Sequence, residues 1–372
     1  MSAEGESWWL RVVDGEARGF GAALARGGLW VLSVGYGLAL RAHLAGYRLG
    51  IAKRTRLPVP VISVGNLTLG GTGKTTAALA VARWLQENGR RVAFLSRGYR
   101  GAGERKAVVV SKGSGPILDV EAAGDEPYMV SKALPEICVV VGKDRRRTGA
   151  LAVEALGAEA IVLDDGFQYQ RLERDADVVL VDALAPFGYD LLVPRGLLRE
   201  PARHLARADA VWLTHCDLVR REVLEAIRAR VQRLAPRARV WETMHAPAGL
   251  CRLEGEGELE PGALRGRRVC ALSSLGNPLA FERCLAQLGA EVVSAVRFPD
   301  HHRYEAGELR RTLEAMAAPA EWVVTTEKDA VRLPVEALEK PTWVLKVELT
   351  GRPGGSKLSE ELTCLLSAKG KI

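Results

Sequence analysis

The sequence predicts an α/β fold: a mostly parallel sheet flanked by helices, followed by a second, smaller α/β/α unit. Three observations carry this. Val61-Ile62-Ser63-Val64 is a short apolar run that ends in Gly65 and leads through a glycine-rich stretch into a helical pattern, Thr76 to Asn88. Similar apolar runs then alternate with helical or glycine-punctuated stretches as far as Thr214. After Arg268 a second alternation of strand and helix patterns begins. Regular alternation of this kind is the mark of layered α/β architecture.

The first observation has chemical content. The stretch reads Thr68-Leu69-Gly70-Gly71-Thr72-Gly73-Lys74-Thr75. Strand, glycine-rich loop and helix together form the context of a phosphate-binding loop. Glycines let backbone N–H groups turn inward around phosphate oxygens, and the helix adds the positive end of its dipole. Lys74 is expected to reach the β- and γ-phosphates, and the Thr75 hydroxyl to ligate Mg²⁺. The larger unit is therefore P-loop NTPase-like. Thr68 stands where the usual pattern has glycine, and Leu69 where partitioning-type ATPases carry an extra lysine, which speaks against that class. An ordinary glycine-rich turn is the plain alternative.

A chain of 372 residues with 48% hydrophobic content can bury a large core in two units. Cys138, Cys216, Cys251, Cys270, Cys284 and Cys364 are scattered and read as reduced thiols, mostly core fillers. The net charge of +7 is concentrated: Arg18, Arg26, Arg41, Arg48, Lys53, Arg54 and Arg56 lie between residues 17 and 60, with no acid among them. Such a segment needs an anionic partner or a solvated face.

That N-terminal segment, residues 1–56, is expected to be helical and to lie on a membrane surface. Fourteen uncharged residues separate Arg26 from Arg41, fewer than the roughly 20 a membrane-spanning helix needs. Four glycines weaken the stretch as an isolated helix. Leu24, Trp30, Val31, Val34 and Leu38 nevertheless supply apolar surface beside Tyr36 and Tyr47, with basic flanks. This is the composition of a segment in the headgroup region of an anionic leaflet; a core helix packed on the nucleotide unit is the alternative.

The nucleotide-binding unit is expected over residues 57–245. After the strand Arg91–Ser96 come Arg97, Gly98 and Tyr99, placed for a phosphate or a sugar, since function gathers at the carboxyl ends of strands. Ala107–Ser111 reads as a strand. Asp125 precedes a helical run from Pro127 to Ala133 and reads most simply as a first-turn acid. The strand Ile137–Val141 leads to Lys143, Arg145, Arg146 and Arg147, which either grip an anionic group or open a helix running to Leu156. Ala160–Leu163 ends in Asp164-Asp165, about ninety residues after Lys74. Acids at the end of such a strand hold Mg²⁺ directly or through water. Further strands end at Asp182 and at Thr214-His215-Cys216-Asp217. The latter is close to a guanine-reading motif, but His215 replaces its lysine. A GTPase or metallochaperone-type regulator is therefore the alternative function. No aromatic-interleaved basic surface is visible, so no nucleic-acid partner is expected, and no protein partner is evident.

Several runs in order resemble one family. They are Gly65-Asn66-Leu67-Thr68 leading into the loop, Ser96–Tyr99, Gly124–Pro127, Gly142–Arg145, Asp164-Asp165-Gly166-Phe167-Gln168, Pro194–Gly196 with Leu198–Glu200, Gly276–Pro278, Phe298–His302 and Thr326–Ala330. Over roughly residues 20 to 345 the chain resembles the tetraacyldisaccharide 4′-kinases of lipid A biosynthesis. The resemblance implies transfer of ATP's γ-phosphoryl group to the 4′-hydroxyl of a tetraacyl glucosamine disaccharide 1-phosphate, giving lipid IVA, on the cytoplasmic face of the bacterial inner membrane. The partners would be an anionic lipid substrate and that membrane surface, the cofactors ATP and Mg²⁺. It implies Asp125 as catalytic base with His301 as its orienting partner, and Lys74, Arg97 and Arg145 neutralising phosphoryl charge. Thr68, Leu69, Gly70, Gly71, Thr72, Gly73, Lys74, Thr75 and Gln168 would hold the nucleotide. Asn66, Tyr99, Arg199 and Glu200 would meet the substrate, and Thr75, Asp164 and Asp165 the metal. Tyr169 stands where the family usually has histidine, and Arg100-Gly101 where it has Gly-Arg.

Residues 246–267, including the acidic, glycine-rich Glu254–Pro261, are expected to form a linker or hairpin. The smaller unit, residues 268–350, is expected as strand 268–272, helix 278–288, strand 291–297, helix 306–317 and strand 322–326. Residues 351–372 read as a frayed tail.

Overall fold

The computed structural model describes residues 3–98, 107–275, 278–299 and 302–370. Among them thirteen strands form a single sheet. The nucleotide-binding part contributes β1 (Val61–Asn66), β2 (Val92–Ser96), β3 (Val108–Lys112), β4 (Cys138–Val141), β5 (Ala160–Asp164), β6 (Ala176–Asp182) and β7 (Ala210–Thr214). Then follow β8 (Arg239–Arg252), β9 (Glu258–Leu259), β10 (Arg268–Ser273), β11 (Glu291–Arg297), β12 (Trp322–Thr326) and β13 (Thr342–Gly351). The order is β11-β10-β12-β13-β8-β7-β6-β1-β5-β2-β4-β3, with β9 on β8. All pairings from β8 through β7, β6, β1, β5, β2 and β4 are parallel, and β3 closes the edge antiparallel. β1 is buried along its whole length, which is why it reads as a continuous apolar run.

Helices cover both faces. On one, α3 (Lys74–Glu87) packs Ala77, Ala78, Val81 and Leu85 over Ile62, Phe94 and Val162. The opposite face, over Val61, Leu95 and Ile161, is shielded by residues of the helix Arg145–Glu154. In the smaller part, the helix Pro278–Gln287 covers one face through Phe281 and Leu285, and the helix Ala306–Met316 covers the other through Leu309 and Leu313. The α/β/α sandwich read from the sequence is present in both parts.

Two expectations are corrected. Residues 246–252, expected to open a linker, continue β8. Its first residues pair with β7 and the rest run antiparallel to β13. Pro247 and Gly249 mimic a break, but the register shifts beside Val347, which faces Pro247 while Lys346 faces Gly249. A bulge of this kind absorbs a residue without an N–H donor. Only residues beyond Arg252 turn back as a hairpin to β9. The expected frayed tail contains the helix Leu358–Ser367, whose Leu362, Leu365 and Leu366 are buried against the core under α3. Those leucines fall three and four apart, on one helical face.

The N-terminal segment is helical within the expected residues 1–56, but one helix runs well past both ends of the fourteen-residue uncharged stretch. After α1 (Ala3–Val13), α2 is one helix from Phe20 to Arg48, 29 residues and about 43 Å long. By length and composition alone it is long and apolar enough to cross a membrane. It is not isolated, so its glycines are tolerated: the Ser33 hydroxyl donates to Leu192 O at 2.8 Å and accepts from Arg195 N at 2.9 Å. Tyr36 donates to Arg199 O at 2.7 Å, and a Cβ on Gly37 would come within 3.1 Å of Leu192.

Candidate active site

The site is built where β1 and β5 end side by side, with Val64 opposite Asp164. Gly65 is required there: a Cβ would stand 2.9 Å from the Phe167 backbone nitrogen as the chain leaves β5. The phosphate loop then runs from Thr68 to Gly73, with Gly70 and Gly73 at positive φ, and Lys74 opens α3. Thr68 can replace the usual glycine because it bridges Leu198 as extended chain, while Leu69 N donates to Leu197 O at 2.7 Å. Asn66 donates from Nδ2 to Thr72 Oγ1 at 2.9 Å, and Thr214 Oγ1 to Thr72 O at 3.4 Å. Lys74 folds back over the loop, with Nζ 3.4 Å from Gly70 O.

The two aspartates after β5 are treated differently. Thr75 Oγ1 donates to Asp164 Oδ2 at 3.4 Å, and Asp164 Oδ1 is buried without a partner. Burial, then Glu126 and Asp165, push the Asp164 carboxyl up to about 7 against the pull of Lys74 and Arg145. Asp165, at φ 51°, is instead held by a two-pronged ion pair with Arg199, at 2.8 and 2.7 Å. Burial opposes its charge, but Arg199, Lys74 and Arg145 outweigh it and keep the carboxyl below its ordinary range. Among the described residues no three or more His, Cys, Asp or Glu converge on a metal cage. One orphaned carboxylate oxygen beside a threonine hydroxyl fits Mg²⁺, which takes few protein ligands and completes its shell with phosphate and water.

Arg145 is buried as the first residue of α6 (Arg145–Glu154). Desolvation lowers its guanidinium to about 10, with Asp164 and Asp165 as the main opposing charges, so it stays cationic. Tyr169 accounts for its placement. The hydroxyl accepts from Arg145 N at 3.1 Å and donates to the N-cap acid Asp144 at 2.9 Å. Arg97 follows β2, exposed and electrostatically felt by Arg145. Gln168 donates to Asn66 O at 2.9 Å and keeps its own buried Oε1 unpaired.

Asp125 is the first residue of α5 (Asp125–Ala133), two residues earlier than the helix expected at Pro127, since proline is tolerated in a first turn. Its Oδ2 lies 3.6 Å from Arg332 Nε. Its neighbour Glu126, which sequence reasoning passed over, is felt by Asp164. His301 and Tyr99 lie outside the described residues.

The expected substrate contacts Asn66, Arg199 and Glu200 are engaged internally. Arg199 bonds Asn66 Oδ1 and O besides Asp165. Glu200 is buried, bonded to His204 Nδ1 at 2.7 Å and Arg207 Nη2 at 2.9 Å. Their carboxamide, guanidinium and carboxylate face partners within the fold rather than an open surface, because the 192–200 loop must be held against the phosphate loop.

The place of the guanine-reading lysine is occupied by histidines. His215 pairs with Asp182 at 2.9 Å and stacks on His245 at 4.6 Å. His245 in turn covers Gly73, where a Cβ would meet its Nε2 at 2.5 Å. Among the described residues no lysine reaches over the loop from β7, and the GTPase alternative is not favoured.

Comparison with known proteins shows the family of the chain. The family model described as LpxK, tetraacyldisaccharide-1-P 4′-kinase, matches residues 25–366. A tetraacyldisaccharide 4′-kinase of Anaeromyxobacter dehalogenans strain 2CP-C is 49% identical over 336 residues, 90% of this chain and 86% of that one. One from Anaeromyxobacter sp. strain Fw109-5 is 45% identical, covering 100% of this chain and 98% of the relative. A crystal structure of LpxK from Aquifex aeolicus in complex with ATP superposes with a TM-score of 0.73 at 31% identity, over 93% of this chain and 99% of that one. The chain belongs to the tetraacyldisaccharide-1-P 4′-kinase family.

Proposed function

We propose that the carboxyl ends of β1, β5 and β2, with the start of α5, form the phosphoryl-transfer site of this kinase. The reaction moves the γ-phosphoryl group of ATP to the 4′-hydroxyl of a tetraacyl disaccharide 1-phosphate in lipid A biosynthesis. The loop Thr68–Thr75 cradles the triphosphate through its amides. Lys74 leaves Gly70 O to meet the β- and γ-phosphates. Arg145, buried and still charged, and Arg97 neutralise charge on the transferring group. Mg²⁺, held by Thr75 and Asp164, would supply charge neutralisation and in-line alignment of the phosphates. Asp165 acts through Arg199, fixing the chain between β5 and the 192–200 loop.

Asp125 accepts the proton of the attacking 4′-hydroxyl, with His301 as its partner. The single observation that carries this reading is Asp125 standing at a helix N-terminus whose next residue, Glu126, is close enough to perturb the Asp164 carboxyl. This supports a proton acceptor near the metal and phosphate end of the site. Asp125→Asn should lower kcat by roughly 10²–10⁴ while leaving KM for ATP within about threefold. Near-normal turnover would remove Asp125 from this role.

The membrane role falls to α2. Ser33 and Tyr36, midway along it, are bonded to the 192–199 loop, so a transmembrane orientation would drag that polar loop into hydrocarbon. The helix lies in the membrane plane with Phe20, Leu24, Val31 and Leu38 outward. This supports a site at the cytoplasmic face of the inner membrane, where an anionic lipid and ATP can both reach it.

A further inference from the structure

Arg332 follows the short helix α10 (Glu327–Ala330), which packs against α5. Its guanidinium is 6% exposed and touches three elements at once. Nη2 donates to Asp329 Oδ1 at 2.7 Å and to Ser274 Oγ at 2.8 Å. Nη1 donates to the backbone carbonyl of His302 at 3.1 Å. Nε donates to Lys328 O at 3.4 Å and stands 3.6 Å from Asp125 Oδ2, an ion pair without a hydrogen bond.

Asp329 is fully buried and saturated with donors. Its Oδ2 accepts from Ser274 N at 3.1 Å and Thr326 Oγ1 at 2.8 Å; its Oδ1 accepts from Ser274 Oγ at 2.5 Å and Tyr304 OH at 3.1 Å. A carboxylate held by that many donors anchors the guanidinium, whose Nε side, bonded to Lys328 O, lies in ion-pair range of Asp125. A planar, permanently charged fork can serve a buried acid, a carbonyl and a second acid together; lysine, with one point charge, cannot.

We propose that Arg332 is a positioning residue for the reaction: it aligns the Asp125 carboxylate and ties it to the backbone of His302, so that the base is in place only when the smaller part is docked on the nucleotide-binding part. The inference rests on Asp125 being the base, and the test separates the two.

The full chain is assayed with ATP and the acylated disaccharide 1-phosphate in mixed micelles as wild type, Arg332→Lys, Asp125→Asn and the double variant. Arg332→Lys is expected to lower kcat about 10–100-fold, the range for a misaligned reacting group, with KM for ATP and Tm near wild type. The double variant should match Asp125→Asn alone, since an absent carboxylate has no alignment to lose. Ser274→Ala, which loosens the guanidinium without removing it, should lower kcat in the same direction and be silent in the Asp125→Asn background. Wild-type kcat in Arg332→Lys, a double variant that falls by the product of the single losses, or a joint collapse of Tm and ATP affinity would overturn the inference. An active Asp125→Asn would overturn the base assignment instead.

Discussion

Leu24, Val31 and Leu38 recur every seven residues along α2 and are 68%, 62% and 58% exposed. They form one stripe, while Ser33 and Leu44 are turned inward. Replacing all three by serine should release the protein from membranes without unfolding it. Their combined exposure equals about two whole side chains, and burying an aliphatic side chain is worth about 2 kcal/mol. The loss is then about 4 kcal/mol, or roughly 10³-fold in membrane partitioning. Co-sedimentation with phosphatidylglycerol-containing vesicles reads this directly, with Tm as the control for folding. Turnover of the micellar lipid substrate should fall through KM, with KM for ATP unchanged. Unaltered co-sedimentation of a folded triple variant would refute the placement of α2 on the membrane.

Asp164→Asn should raise the Mg²⁺ concentration for half-maximal activity at least tenfold and weaken Mn²⁺ binding read by electron paramagnetic resonance, because it removes the orphaned carboxylate oxygen; an unchanged requirement would exclude it as a ligand. Asp165→Asn should instead lower Tm, since it strips the charge partner from a mostly buried Arg199. Tyr169→Phe should cost about 1 kcal/mol in urea unfolding, the worth of a hydrogen bond, and lower kcat modestly by loosening Arg145. Leu362→Ala should destabilise by about 2–5 kcal/mol, whereas a frayed tail would tolerate it. Burial, then His215, lowers His245 from 6.5 to about 4. Between those values the unfolded chain binds the proton and the folded one does not. Stability should therefore fall as pH drops through this window, and His245→Asn should flatten that slope.

The phosphate loop was legible because strand, glycines, lysine and helix are contiguous, and a local conformation is what glycine encodes. The paired Asp164-Asp165 was legible as a motif, but not the division of labour, since only the fold brings Arg199 to one of them. The continuity of α2 was obscured by the four glycines between Arg26 and Arg41, which destabilise a lone helix and are harmless in one docked through Ser33 and Tyr36. Pro247 hid the continuation of β8 because a bulge that absorbs a proline depends on the partner strand, β13. Arg332 escaped notice, and Tyr169 was marked only as a departure from the family pattern, for the same reason: each acts through residues distant in sequence, Arg332 through Asp125 and Ser274, Tyr169 through Asp144 and Arg145. Glu126 had a local signal, its place beside Asp125 in the Gly124–Pro127 run, but nothing local tied it to Asp164.

The most direct measurement follows label from [γ-³²P]ATP into extracted lipid, with the tetraacyl disaccharide 1-phosphate as acceptor, for the wild type, Lys74→Ala and Asp125→Asn. The wild type should place one labelled phosphate on the 4′ position, Lys74→Ala should lose transfer together with ATP affinity, and Asp125→Asn should bind ATP but transfer on the order of 10²-fold more slowly or worse. Label that stays in the aqueous phase with wild-type protein, or full transfer by either variant, would contradict the account.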